Sequence, residues 1–417
     1  MTHPTRSFAR GAAPAAAAML VGLALAADYE PNPVLKASQA LPKDLLAGPH
    51  FKVDEAVPTD GYTPAYTIQS DFGKYDARGR EMLEVRVHEI AALDKLDEIS
   101  KGDAFAKAMG QSAAKTGKAV ANVATNPVET AKGVPKGVGR FFKGAAGSAK
   151  KAGASAADTV KGDDEDDGAP DKGAGQTAGD AAKSVAGANK AKRGWAKQYQ
   201  VDPYSSNPAL QKKLDDLALA TSAGGFAMKV VNPVAGISAV ATVNGLAWDM
   251  PAPDLEKLND QKLAKMGVAD ATRKAFFKNS WYTPTQATAF VATLEAVPGV
   301  AGVNDAVALA TRRARSEDDA RFYRRSAQIL AAYQKKGGPI ASLESRKTLF
   351  VGHAKSGALV VPAPVDLIAW TAEVDGLSAN PELQGSPKEL WLYGQATDRA
   401  RAELSARGWT VKERVLD

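Results

Sequence analysis

Hydrophobic positions along this chain change period several times, and each change marks a different kind of element. Ala12 to Ala26 is an apolar run. Residues 27–64 are rich in Pro and polar residues, hold no sustained period, and read as an extended lead-in. Tyr66 to Ser70 predicts a strand and Asp71-Phe72-Gly73 a turn. Leu83, Val85 and Val87 then alternate with Glu84, Arg86 and His88, the two-residue period of a half-buried strand. Ile90, Leu93 and Leu96 continue at helical spacing. The expectation is a small hairpin running into a helix near 89–100, with His88 on the strand's outer face.

Farther along, Asn207-Pro208 opens a helix carrying Leu210, Leu214 and Leu217. Residues 217–248 contain a single charge, Lys229, and Asn232-Pro233 divides them into halves too short to span a bilayer as helices. A buried helical hairpin is the first reading and a membrane-dipping hairpin the second. Residues 250–340 read as helices throughout. Gly267 stops one and Asp270 caps the next; Thr283-Pro284-Thr285-Gln286 combines a capping Thr, Pro at the first helical position and Gln three residues after the cap. Phe322, Ile329, Leu330 and Tyr333 form the stripe of the last helix, which Gly337-Gly338-Pro339 ends. Two short apolar runs, 349–351 and 359–361, flank the hairpin signal Lys355-Ser356-Gly357. A helix over 365–374, a strand at 390–393, a helix over 398–407 and a strand from Trp409 complete a β-β-α-β-α-β order.

The fold class that follows is α+β and mostly helical: a small N-terminal β element, a helical central domain and a small C-terminal α/β unit. The boundaries fall at 1–26 (signal peptide), 27–100 (hairpin and helix region), 101–160 (a basic Gly/Ala/Lys-rich arm), 161–192 (a disordered acidic linker), 193–340 (helical domain) and 341–417 (α/β unit). The linker assignment rests on Asp163-Asp164-Glu165-Asp166-Asp167 and its Gly- and Ala-rich continuation, which cannot bury enough apolar surface to offset chain entropy.

Composition sharpens the ends of this picture. Arg6 and Arg10 precede the apolar run, and Ala24-Leu25-Ala26 offers small residues where a signal peptidase reads. The expected destination is the periplasm. No Cys exists to carry a lipid, a disulfide or a thiolate. Removing the leader takes away Arg6 and Arg10, so the formal charge falls from +6 to +4. The charge is distributed unevenly. Ala104 to Ala157 holds nine Lys or Arg and one acid, Glu129, a local balance of +8. Within it, Lys132, Lys136, Arg140 and Lys143 surround Phe141 and Phe142. Cations interleaved with aromatic rings suit an anionic membrane surface: each basic residue near such a surface contributes about 1 kcal/mol, and the rings insert. A polar tether whose Phe pair docks on its own protein is the plainer alternative. Nucleic acid is not expected for an exported chain.

Motifs of catalysis fail one by one. His88-Glu89 lacks the second His of a zinc protease. No Gly-x-Ser-x-Gly elbow occurs. Gly117-Lys118 has Ser112 where a phosphate loop needs its first Gly, and Gly173-Ala174-Gly175 with Ala178 lacks a preceding strand. The acidic block at 163–168 has Ala174 where a calcium loop needs Glu. Glu317, Asp318 and Asp319, near Arg312, Arg313 and Arg315, read as an ion-paired helix surface. No cofactor, metal or catalytic residue is assigned.

NPVETAKGVPKGVGRFF at Asn126–Phe142 and the segment Ser70–Leu96 resemble a family of uncharacterised exported bacterial proteins, and Glu389–Trp409 looks like the same family's C-terminal unit. The resemblance implies export and a shared architecture. It implies no activity and no residue roles. The expected function is a non-enzymatic envelope protein contacting a membrane surface or partner protein through its basic arm. The alternative is a periplasmic enzyme with its site between the helical and C-terminal units, near Gly352, His353 or Gly394. A third is a secreted factor acting through the apolar 217–248 segment.

Overall fold

The computed structural model describes residues 29–116, 174–222, 226, 245–383, 385 and 387–417. They are 53% helical and 20% strand, an α+β architecture dominated by helices. The leader, the basic arm's centre, residues 161–173 and most of the apolar 217–248 segment lie outside the described residues.

The N-terminal part folds from residue 34 onward. Strand β1 (Val34–Lys36), helices α1 (Ala37–Ala40) and α2 (Lys43–Leu46), and strands β2 (Ala47–Gly48), β3 (Phe51–Val53) and β4 (Ala56–Pro58) lie within the segment expected to be an extended lead-in. They precede strands β5 (Ala65–Ser70) and β6 (Gly73–Arg78). The lead-in expectation is therefore corrected: Leu45, Val53 and Val57 are core residues despite the absence of a period long enough to notice. The sheet runs β2-β3-β5-β6, antiparallel throughout, and β5 turns into β6 through Asp71-Phe72 with Ser70 opposite Gly73.

The predicted strand at 83–88 is also corrected. Helix α3 (Arg80–Ser100) covers it. Leu83, Val87, Ile90, Leu93 and Leu96 recur at three- and four-residue spacing and are all buried. Leu83, Val87 and Ile90 pack on the N-terminal sheet, while Leu93 and Leu96 belong to the next core. That core is built with helices α4 (Asp103–Thr116), α5 (Ala174–Gln198) and α6 (Pro208–Ser222), around Trp195, Tyr199, Leu210, Leu214 and Leu217. Helix α5 begins at Ala174, so residues 174–192 of the expected linker are helical.

Helix α7 (Leu246–Asp249) precedes the stretch predicted to be helical, 250–340, whose helices are α8 (Ala252–Lys265), α9 (Asp270–Lys278), α10 (Pro284–Glu295), α11 (Val303–Arg313) and α12 (Glu317–Lys336). Thr283 Oγ1 accepts the Gln286 amide at 3.3 Å, as the capping pattern predicts. Asp270 is the first residue of α9, and Ala269 takes the capping position, its amide bound to Asn304 Oδ1 at 3.0 Å.

The C-terminal unit has three more strands than the four expected, one of them in its main sheet. Strands β7 (Ile340–Arg346), β8 (Leu349–Ala354), β9 (Leu359–Ala363), β11 (Lys388–Leu392) and β13 (Trp409–Lys412) form a mixed sheet ordered β13-β11-β9-β8-β7. Strands β9, β11 and β13 run parallel. The helix expected over 365–374 begins only at α13 (Ala372–Ser378); Leu367–Ile368 is instead strand β10, paired parallel with β12 (Gln395–Ala396). Helix α14 (Asp398–Ala406) connects β12 to β13. Phe350, Val360 and Trp391 face the α12 side, with Trp391 against Tyr333 at 4.9 Å between centroids. Val351, Leu359, Val361, Leu390 and Leu392 face the opposite way, in the core that includes Val374, Ala400 and Leu404. Gly302, at φ +81°, lets the loop before α11 lie along β7, where an added Cβ would meet the Leu343 carbonyl.

The start of the chain locks this unit in place. Glu30 Oε2 accepts from the Trp370 amide at 2.5 Å and from Thr397 Oγ1 at 2.6 Å. Leu367 and Ala369 donate to the carbonyls of Tyr62 and Gly61 at 3.0 Å.

Candidate functional site

The residues singled out by sequence, Lys132, Lys136, Arg140, Phe141, Phe142 and Lys143, lie outside the described residues. What surrounds their segment is defined. The chain leaves at the end of α4 and returns at the start of α5, and both helices pack on α6. The 223–244 stretch, with Lys229 its one charge, leaves from the end of that same α6. Phe226 stacks on Trp195 of α5 at 6.0 Å and meets Phe105 of α4 edge-on at 5.9 Å. Lys213 on α6 ties this layer to α3 through Asp97 at 2.5 Å and Ser100 at 2.8 Å.

Beside this layer is a buried ionic seam that sequence reasoning missed. Its first part joins α3 to α12. Glu81 is 5% exposed and pairs with both Arg324 and Arg325. Arg324, 1% exposed, also donates through Nε to Gln286 Oε1 at 2.9 Å. Arg325 covers the Tyr393 ring at 3.7 Å. Burial pushes the Glu81 carboxyl up, but Arg324 and Arg325 outweigh burial and hold it below the ordinary range. The second part joins α3 to the 202–207 loop. Arg86 donates to Glu89 Oε2 at 2.6 Å and to Ser206 Oγ at 2.7 Å. Ser205 Oγ donates to Glu89 Oε1, and Asn207 Nδ2 to Glu89 Oε2 at 3.0 Å. Ser206 Oγ passes the connection to Glu317 Oε2 at 2.6 Å.

Between the two parts is a cavity of about 40 Å³, lined by Glu81, Arg86, His88, Glu89, Asp202 and Gln286 among others. At roughly 10–15 Å³ per water on this measure, it has room for about three waters and for no organic substrate. His88 is buried on α3, which corrects its expected place on an outer strand face. Its Nε2 lies 3.0 Å from the Tyr199 carbonyl, which can only accept, so Nε2 carries the hydrogen and Nδ1 has no hydrogen-bond partner among the described residues. Asp202 Oδ1 accepts from Thr285 Oγ1 at 2.7 Å and the Tyr204 amide at 2.9 Å. Burial nevertheless pushes the Asp202 carboxyl up to about 6, with Glu89 and Glu317 adding to the shift.

Chemically this arrangement is a lock. The Ser205 hydroxyl donates to a carboxylate while accepting the Asn207 amide at 3.1 Å, which leaves it poorly placed as a nucleophile. Sequence carried a faint signal of the seam: Arg321, Arg324 and Arg325 share one helical face, as do Glu81 and His88, seven residues apart.

The acids near 317 do form ion pairs, as expected, but among the described residues their partners are Arg321 and Arg78 rather than Arg312, Arg313 or Arg315. Glu317 and Asp318 turn to Arg321 at 2.9 and 3.1 Å. Asp319 accepts the Arg315 backbone amide at 2.9 Å while its own amide bonds the Ser316 cap. Two of the three positions suggested for an enzymatic cleft, Gly394 and Gly352, are closely packed. Gly394 abuts Asp366, Gly352 lies against Leu330, and His353 Nε2 meets Glu344 Oε2 at 2.7 Å. None of the three lines the seam cavity. Among the described residues, no group of three or more His, Asp or Glu is placed to hold a metal ion, and no helix is long and apolar enough to cross a membrane. Comparison with protein-family models, with curated proteins and with solved structures finds no match to this chain.

Proposed function

We propose that this chain is an exported envelope protein that contacts an anionic membrane surface through its basic arm, with the folded parts acting as scaffold. The observation that carries this reading is the position of the arm between two helices, α4 and α5, that both dock on α6. A segment with a local balance of +8 and a paired Phe141-Phe142 is thus tethered at both ends to one helical layer. The 223–244 stretch, whose one charge is Lys229, leaves that same layer, so a cationic and a nearly uncharged segment both start from it. The ionic seam supports the scaffold role, since it fastens α3 to the rest of the body without offering space for a substrate. The Asn126–Phe142 resemblance to exported proteins points the same way.

Sedimentation with phosphatidylglycerol and phosphatidylcholine vesicles tests the reading. Lys132, Lys136, Arg140 and Lys143 together contribute about 4 kcal/mol at low salt. Replacing all four by Gln is expected to weaken binding to anionic vesicles by on the order of a hundredfold or more. Phe141→Ala with Phe142→Ala lowers it further. Equal binding to both vesicle types, or no effect of either set of substitutions, refutes the proposal. Fractionation of the tagged protein between soluble periplasm and membranes, with and without high salt, checks location.

A further inference from the structure

A second cationic feature lies on the folded body, away from the arm. Arg312 and Arg313 end α11, Arg315 follows, and Lys347 stands in the turn between β7 and β8. The four exposed side chains and buried Leu309 line an open groove of about 480 Å³. None of the four side chains pairs with a described carboxylate, because the neighbouring acids are committed elsewhere. Glu317 and Asp318 hold Arg321, and Asp319 holds the backbone before α12. Relief of the α11 C-terminal carbonyls does not explain the arginines either. Asn279 Nδ2 already donates to the Thr311 and Ala314 carbonyls at 2.9 and 3.0 Å. Lys347 holds a left-handed backbone, φ +53°, where Gly or Asn would be unstrained. A long cation thus stands at a turn position that disfavours it, lining the same groove as three arginines of like charge.

We infer that Arg312, Arg313, Arg315 and Lys347 form a binding site for a phosphate-bearing anion. Guanidinium forks match phosphate oxygens two at a time, and the lysine adds a point charge. A bound anion relieves the mutual repulsion of the four groups. This site is independent of the arm and stands whether or not the arm meets a membrane. A phosphate group on a lipid headgroup and a free phosphate share this chemistry.

Hydrogen–deuterium exchange of the full chain distinguishes them. Inorganic phosphate, against chloride at matched ionic strength, is expected to slow exchange in residues 309–316 and 345–350. The variant Arg312→Gln, Arg313→Gln, Arg315→Gln, Lys347→Asn is expected to lose phosphate affinity by about tenfold or more. Its seam and cores are untouched, and Asn tolerates the left-handed turn. Repeating the measurement on an arm-neutralised chain separates the two proposals, because groove protection persists there. In that chain, protection by phosphatidylglycerol vesicles identifies a lipid headgroup, and protection by inorganic phosphate alone identifies a free anion. Equal protection by chloride, unchanged affinity in the quadruple variant, or no protection from phosphate and vesicles alike overturns the inference.

Discussion

Asp202 offers the sharpest test of the seam's electrostatics. Both hydrogen bonds to its side chain, from Thr285 Oγ1 and the Tyr204 amide, end on the same oxygen, Oδ1. An asparagine at this position keeps an acceptor there and loses only the charge. Burial raises the carboxyl from 3.8 to about 6 in the folded state. The folded protein therefore holds this proton more tightly than the unfolded chain. Stability from this group is fully present below pH 4 and is lost as pH rises to about 6, after which it stays low. Two pH units correspond to about 3 kcal/mol, and partial access to solvent reduces this to about 2 kcal/mol.

Urea unfolding followed by tryptophan fluorescence measures the effect, since Trp195 and Trp248 belong to the adjoining core. The stability difference between Asp202→Asn and the parent is expected to grow by about 2 kcal/mol in the variant's favour between about pH 4 and pH 7.5. Comparing the two proteins cancels the opposing contribution of Glu81. That group's folded pKa lies below its ordinary value, so its stabilisation is present above pH 4.5 and fades on acidification. A difference that is flat with pH, or that grows toward acid, refutes the account of Asp202 as a desolvated carboxylate.

Three further substitutions probe separate parts of the argument. Glu81→Ala leaves Arg324 and Arg325 buried without their counter-charge and is expected to cost about 3–5 kcal/mol in urea unfolding. Thr283→Ala removes the cap of α10 and costs about 1 kcal/mol, measured the same way. Lys347→Gly relieves the left-handed turn and is expected to raise stability by about 0.5–1 kcal/mol while weakening phosphate protection of the groove. A destabilised Lys347→Gly protein would contradict the strain assigned to that turn.

Helices with clear stripes and end signals were legible in sequence even where they bury polar residues, as α12 does with Arg324 and Arg325, but which polar residues turn inward was not. Helices α8, α9, α10 and α12 carry ordinary amphipathic stripes and punctuation such as Thr283-Pro284 and Gly267, so their positions follow from spacing alone. Helix α3 misled because Arg86 and His88 alternate with Leu83, Val85 and Val87, and a buried polar residue looks the same in sequence as an exposed one. Only the partners on α12 and the 202–207 loop, more than a hundred residues away, show that Glu81, Arg86 and Glu89 point inward. The lead-in hid its strands for another reason: β1 to β4 are two or three residues long and cannot display a period. The cationic groove was invisible because proximity in sequence predicted that Glu317, Asp318 and Asp319 would neutralise Arg312, Arg313 and Arg315. Lys347 joins them only through the β7–β8 turn.

The division of charge in this molecule bears on both proposals. Within the seam, Arg86, Arg321, Arg324 and Arg325 are matched by Glu81, Glu89, Glu317 and Asp318, so it is close to neutral. The excess of +4 expected after loss of the leader is therefore carried by the rest of the chain. With a screening length of about 8 Å at physiological salt, such an excess acts through local patches rather than as a sum. Two patches stand out: the +8 arm and the four-cation groove. The acidic block at 163–167 follows the arm in sequence and carries the opposite charge, whereas the acids beside the groove are held by Arg321 and the α12 cap. On the proposed readings, added salt weakens the arm's attraction to an anionic surface, and it lowers the groove's phosphate affinity as well.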